Sequence, residues 1–72
     1  MTRGYPKESG IYWVKMYQWN YDTLKYDVES QEWQIVEVDL NEPETYAVSV
    51  IGSDELDNIH RIYEYEAVQR IV

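Results

Sequence analysis

The run Gly10-Ile11-Tyr12-Trp13-Val14-Lys15-Met16-Tyr17 constrains the fold more than any other part of the sequence. It is built from β-branched and aromatic strand formers, and its apolar residues occupy both alternating positions of a strand. Successive side chains of a strand point to opposite faces, so a strand of this composition is covered on both of them. This is the situation of a strand in a small barrel or at an interface.

A second strand is predicted where Leu24, Tyr26 and Val28 alternate with polar residues, after a turn at residues 19–22. Residues 33–40 predict a third strand, in which the apolar residues change parity between Ile35 and Val36. Because one inserted residue moves every later side chain to the opposite face, this change predicts a β-bulge or a sharp bend there.

Residues 46–51 predict a fourth strand, after a polar loop in which Pro43 interrupts the extended chain. Ser53 or Asp54 is expected to cap a short helical turn near residues 54–58. The segment after it alternates as a strand over residues 59–67. An apolar stripe at helical spacing also runs through this region, formed by Leu56, Ile59, Tyr63, Ala67 and Ile71. The β-branched and aromatic content of this segment favours the strand.

These segments predict a single all-β domain over residues 1–72, either a small, strongly bent antiparallel sheet or an SH3-like barrel of about five strands. The alternative is an α+β fold with a C-terminal helix. The chain has no cysteine, which excludes a disulfide-stapled module, and its eleven aromatic residues argue against disorder. No apolar run is long enough to cross a membrane and the first residues lack an apolar signal region, so we expect a cytoplasmic protein.

The charge is concentrated in one part of the chain. The formal net charge is −8, and residues 37–72, with nine acidic and two basic side chains, carry −7 of it. From Asp27 to His60 there are ten carboxylates and no lysine or arginine. Such a field attracts a positively charged protein surface and repels nucleic acid and anionic membranes, so we expect a basic protein partner.

Several carboxylates recur two residues apart, as in Glu37 with Asp39. On a strand this spacing puts both on one face about 6.6 Å apart, comparable to a phosphate track with one charge per ~3.4 Å of each DNA strand. The sequence therefore predicts an acidic, partner-binding face that imitates nucleic acid, whereas the simpler alternative is a solvated face that serves solubility. Its predicted members are Asp27, Glu29, Glu37, Asp39, Glu42, Glu44, Asp54, Glu55 and Asp57.

No pattern of catalytic or metal-ligating residues stands out. His60 is the only histidine, no serine has nucleophile-elbow glycines beside it, and the three glycines are isolated. We therefore predict a protein that is not an enzyme and binds no cofactor or metal.

The aromatic residues predict a second candidate surface. Eight of the eleven lie within the first 33 residues, and Tyr17, Trp19 and Tyr21 are the candidates for an exposed aromatic face. Aromatic side chains are enriched at binding hot spots, so the alternative function is a structural or assembly module that binds through this face. A homodimer would also enlarge the small core.

One resemblance bears on these hypotheses. Pro6, Ser9-Gly10, Tyr12-Trp13-Val14-Lys15, Tyr26-Asp27, Trp33 and the closing Arg70-Ile71 resemble short uncharacterised proteins common in phages and prophages, which open on Gly-x-Tyr-Trp-Val-Lys/Arg. The resemblance covers mainly residues 6–33, and the connection at residues 17–22 departs from the tight glycine turn of that pattern. It implies a phage-type accessory protein that binds and blocks a host protein, and it transfers no catalytic residue.

Overall fold

The computed structural model describes residues 2–68, which form one antiparallel sheet with no helix longer than a 3₁₀ turn. The all-β prediction is confirmed. The strands are, in chain order, β1 (Thr2–Arg3), β2 (Gly10–Asn20), β3 (Lys25–Glu29), β4 (Gln34–Val38), β5 (Val48–Val50), β6 (Leu56–Asp57) and β7 (Ile62–Ala67). Two 3₁₀ turns, Glu44–Tyr46 and Ile59–Arg61, precede β5 and β7.

The sheet has the order β1-β7-β2-β4-β5-β6 and is not closed, so the barrel alternative is wrong. The two outer strands, β1 and β6, contain only two residues each, which is too short to pair into a closed ring. Short edge strands of this kind also limit pairing with other chains.

The long strand β2 is the centre of the sheet, as its composition predicts. Its residues from Gly10 to Val14 pair with β4, and those from Tyr12 to Met16 pair with β7. Beyond this point, Tyr17 to Asn20 pair with β3 alone. β2 therefore belongs to two structures, a broad sheet at its start and a two-stranded ribbon at its end.

The core lies on one face of the broad sheet. The cross-strand pairs Val36 with Val50, Val38 with Val48, and Met16 with Ile62 place aliphatic side chains on this face. The buried cluster consists of Val14, Met16, Val36, Val38, Ala47, Val48, Ile59 and Ile62. We call this side the core face and the opposite side the outer face.

The predicted bulge near Ile35 and Val36 is wrong. The pairing of β4 with β2 runs without a register shift from Gly10 opposite Val38 to Val14 opposite Gln34. Ile35 lies opposite Trp13 on the outer face, whereas Val36 faces the core. The change of parity therefore arises because β4 is apolar on both faces.

The predicted helical turn near residues 54–58 is also wrong. Ser53 accepts a hydrogen bond from the backbone N–H of Glu55 through its side chain, which forms a local turn that leads into β6. The 3₁₀ turn begins only at Ile59, where the side chain of the N-cap residue Asn58 accepts a hydrogen bond from the N–H of His60. Residues 62–67 are β7, so the C-terminal helix is wrong for this segment; Arg70 and Ile71 lie outside the described residues.

Candidate functional site: an exposed aromatic arm

The end of β2 and β3 form a ribbon over residues 17–29, and no other strand of the described residues 2–68 pairs with β3. We call this ribbon the arm. A four-residue loop, 21–24, joins its strands, and the N–H of Leu24 donates to the carbonyl of Asn20 at 2.8 Å. Leu24 has a φ of 55°, in the left-handed region that favours glycine or asparagine in such loops.

Large apolar side chains are exposed along the whole arm, and no residue of the arm belongs to the buried core. Tyr21 is 84% exposed, Leu24 67% and Tyr26 50%. Trp19 lies between two of the rings, with centroids 5.1 Å from Tyr26 and 6.4 Å from Tyr21, both nearly perpendicular to it. A single exposed apolar residue is ordinary, but exposed rings in contact with one another form a candidate interaction surface.

Arg61 attaches the arm to the sheet. β7 begins at Ile62, opposite Met16, so β2 loses its neighbour on this side from Tyr17 onwards. The guanidinium of Arg61 takes the place of the backbone N–H donors that a neighbouring strand would supply. Its Nε and Nη2 donate to the carbonyl of Tyr17 at 3.3 and 3.0 Å. It also forms an ion pair with Asp57 and lies 4.4 Å from the ring centroid of Tyr26. The arm is therefore held in a defined orientation at its base.

Tyr63 supports the base of the arm from the buried side. Its hydroxyl donates to the carbonyl of Ser30, and its ring packs 5.0 Å from that of Tyr17. Burial raises the pKa of Tyr63, and the negative charges of Glu29 and Glu64 raise it further.

Four of the nine predicted partner-binding carboxylates are engaged within the chain. Glu29 is 3.1 Å from Arg3, Glu44 is 3.0 Å from the ring of His60, and Asp57 is paired with Arg61. Asp27 accepts from the hydroxyl of Thr23 at 2.7 Å, and this hydrogen bond, followed by one from Asn20, lowers the pKa of Asp27.

The other five predicted carboxylates form no ion pair with a described residue. They are Glu37, Asp39, Glu42, Asp54 and Glu55. Glu37 and Asp39 line a depression of about 540 Å³ together with Ser9, and the Asp39 side chain accepts from the N–H of Asn41. These carboxylates supply negative charge at the β4–β6 side of the sheet.

The regular carboxylate track is not formed. Glu42 and Glu44 lie in a loop and a 3₁₀ turn rather than in a strand. Asp27 is skipped in the pairing of β3 with β2, where Val28 opposes Gln18 and Tyr26 opposes Trp19. The two-residue spacing therefore does not translate into one continuous strand face.

The predicted aromatic face corresponds to the arm only in part. Trp19 and Tyr21 are exposed on it, whereas Tyr17 is half-buried against Tyr63. Sequence reasoning assigned no binding role to Tyr26, although its alternation with Leu24 and Val28 marked an apolar strand face. The role of Arg61 had no signal in the sequence, because it depends on where β7 begins.

No group of three or more histidine, cysteine, aspartate or glutamate residues in the described part of the chain is placed to hold a metal ion. Over residues 2–68, no helix has the length and apolar character needed to cross a membrane. Comparison with protein-family models, with curated proteins and with solved structures found no match to this chain.

Proposed function

We propose that this chain is a non-enzymatic protein-binding protein that docks on a positively charged protein surface through its aromatic arm. The observation that supports this function most directly is the exposure of Trp19, Tyr21, Leu24 and Tyr26 on a ribbon outside the core, with the ring of Trp19 in contact with those of Tyr21 and Tyr26. Tryptophan and tyrosine dominate the energetics of protein interfaces because they bury a large area with few rotatable bonds.

The charge determines the class of partner. The arm contains three acidic residues and one lysine, so its own net charge is 1 − 3 = −2, within a chain of net charge −8. Complementary potential accelerates association with a basic surface and discriminates against acidic ones. Surfaces that bind nucleic acid are basic, so an acidic protein docked there competes with the phosphate backbone. The resemblance to phage-type accessory proteins fits the same role, with a host protein as the partner.

Site-specific photocrosslinking tests the arm. A photoreactive phenylalanine analogue replaces Tyr21 in one variant and Tyr46 in a matched control, since Tyr46 is also exposed, at 57%, but lies outside the arm. The variants are incubated with host lysate at low and high salt. We expect a covalent adduct with a basic protein from position 21 only, with a yield that falls steeply as salt screens the charges. Equal yields from both positions would contradict docking through the arm, and a yield independent of salt would contradict the basic partner.

The second candidate function is occlusion of a nucleic-acid-binding surface by the carboxylates of the β4–β6 side. The depression lined by Glu37 and Asp39, neither of which has an ion-pair partner among the described residues, favours it. In that case, Glu37→Lys with Asp39→Lys abolishes competition with nucleic acid while Trp19→Ala leaves it intact. Docking through the arm predicts that Trp19→Ala abolishes this competition, so the Trp19 variant separates the two candidates.

A further inference from the structure

A shallow, open pocket of about 320 Å³ on the outer face is lined by Trp13, Trp33 and Glu66. Trp13 lies in the part of β2 that pairs on both sides, with Ile35 opposite on β4 and Glu66 opposite on β7. Although it lies in the central strand of the sheet, Trp13 is 42% exposed. The pocket lies on the broad sheet, whereas the aromatic arm begins at Tyr17.

An internal cation already uses one wall of this pocket. The Lys15 ammonium lies 4.8 Å from the ring centroid of Trp33, which is a cation–π contact. Its charge is compensated by Glu64 at 3.7 Å, and its side chain is only 15% exposed. Glu66, in contrast, forms no ion pair with any described residue. The pocket therefore combines aromatic walls with a carboxylate whose charge no described cation balances.

We propose that this pocket binds an arginine side chain of the partner protein. A guanidinium is planar, stacks on an indole face and donates two parallel hydrogen bonds to a carboxylate, so it matches the three lining groups together. An anionic ligand is repelled by Glu66 and by the net charge of −8. A purely apolar ligand desolvates Glu66 without giving it a partner. This inference takes the positive charge of the partner from the proposed function, but it does not depend on the arm.

The test uses an eight-residue peptide of alternating glycine and arginine, with a matched peptide in which neutral citrulline replaces each arginine. Binding is followed in ¹⁵N-labelled protein through the indole N–H resonances of Trp13, Trp19 and Trp33, assigned with single Trp→Phe variants. We expect saturable shifts of the Trp13 and Trp33 resonances with the arginine peptide and none with the citrulline peptide. Equal shifts with both peptides would overturn the proposal.

Two charge variants separate the pocket from general attraction to an acidic protein. Glu66→Gln weakens binding of the arginine peptide about threefold. Glu55→Gln removes the same charge from an exposed loop position and leaves the affinity within experimental error. Equal losses in the two variants would show only nonspecific attraction and would refute the pocket. Far-ultraviolet circular dichroism confirms that both variants are folded.

The outcome is distinguishable from failure of the proposed function. Peptide-induced shifts confined to Trp19 would refute the pocket and leave docking through the arm standing. Shifts of Trp13 and Trp33 combined with no adduct from position 21 would refute the arm and leave the pocket standing.

Discussion

Replacing Arg61 by methionine tests whether one side chain attaches the arm to the sheet. Methionine keeps much of the packing of the arginine stem but loses the guanidinium. The variant leaves the carbonyl of Tyr17 without its two N–H donors, leaves Asp57 without its cation and removes the contact with the Tyr26 ring.

The expected decrease in the free energy of unfolding is the sum of these three losses. A hydrogen bond that involves a charged group contributes about 1.5–3 kcal/mol, and a cation–π contact at a partly exposed site about 0.5–1 kcal/mol. The unpaired Asp57 adds about 1 kcal/mol, well below the value for a buried ion, because the side chains of Asp57 and Arg61 remain 18% and 25% exposed. We expect Arg61→Met to lower the free energy of unfolding by about 3–5 kcal/mol, a large part of the roughly 4–11 kcal/mol expected for a domain of this size.

Urea denaturation followed by tryptophan fluorescence measures the global effect, and amide hydrogen exchange measures the local one. The backbone amides of residues 17–29 should exchange faster in Arg61→Met than those of the broad sheet. Arg61→Lys keeps the charge opposite Asp57 but not the fork of donors, so it should lose only about 1–2 kcal/mol. Adding Asp57→Asn to Arg61→Met removes the unpaired charge and should recover about 1 kcal/mol. A loss below about 0.5 kcal/mol, or equal losses for the methionine and lysine variants, would refute the reasoning.

Three further predictions concern the base and the loop of the arm. The pKa of Tyr63 is raised above the ordinary value of 10.0, so the neutral phenol contributes its full stability below that pH and loses it as pH rises through the folded-state pKa. Tyr63→Phe leaves the carbonyl of Ser30 unpaired and should lower the free energy of unfolding at pH 7 by about 1–2 kcal/mol. In alkali, the stability of this variant, measured by urea denaturation, should fall less steeply with pH than that of the wild type. Leu24→Gly relieves the positive φ and should stabilise the arm by about 0.5–1 kcal/mol in denaturation and hydrogen exchange, yet weaken the crosslinking of the partner if Leu24 contacts it. Thr23→Val removes the main cause of the lowered pKa of Asp27, so an NMR titration of this carboxyl should move up towards 3.8, and an unchanged titration would show that the hydrogen bond has no influence.

The structure separates patterns that are local from those that depend on pairing. Period-two alternation and β-branched content predicted the positions of β2, β3, β4, β5 and β7, because strand propensity is carried by each segment itself. The parity change between Ile35 and Val36 was interpreted as a bulge, although both faces of β4 are apolar. The register shifts that the structure shows occur at Lys15/Met16, in the pairing of β2 with β7, and at Gln18/Trp19, in its pairing with β3.

The candidate sites also combine features that local sequence predicts with features that depend on contacts between distant segments. Trp19 and Tyr21 were candidates for an exposed aromatic face because the aromatic residues are concentrated in the first 33 residues, and both are exposed in the structure. Tyr17 lies two residues before Trp19 in β2, but it is half-buried because Tyr63 packs on it. The pairing of Glu29 with Arg3 joins residues far apart in the chain, so no local spacing indicates it.

The sequence by itself determined the all-β class, the location of most strands and the excess of negative charge, because composition and alternation act over a few neighbouring residues. Only the tertiary structure decided that the sheet stays open, that the end of β2 leaves it as an arm, and that Arg61 replaces a backbone neighbour at Tyr17. It also decided which carboxylates contact a partner within the described residues and which form no ion pair there. Each of these outcomes depends on strand register and on the point where the pairing of β2 with β7 stops, at Met16 opposite Ile62. Register is set by contacts between segments that are distant in sequence.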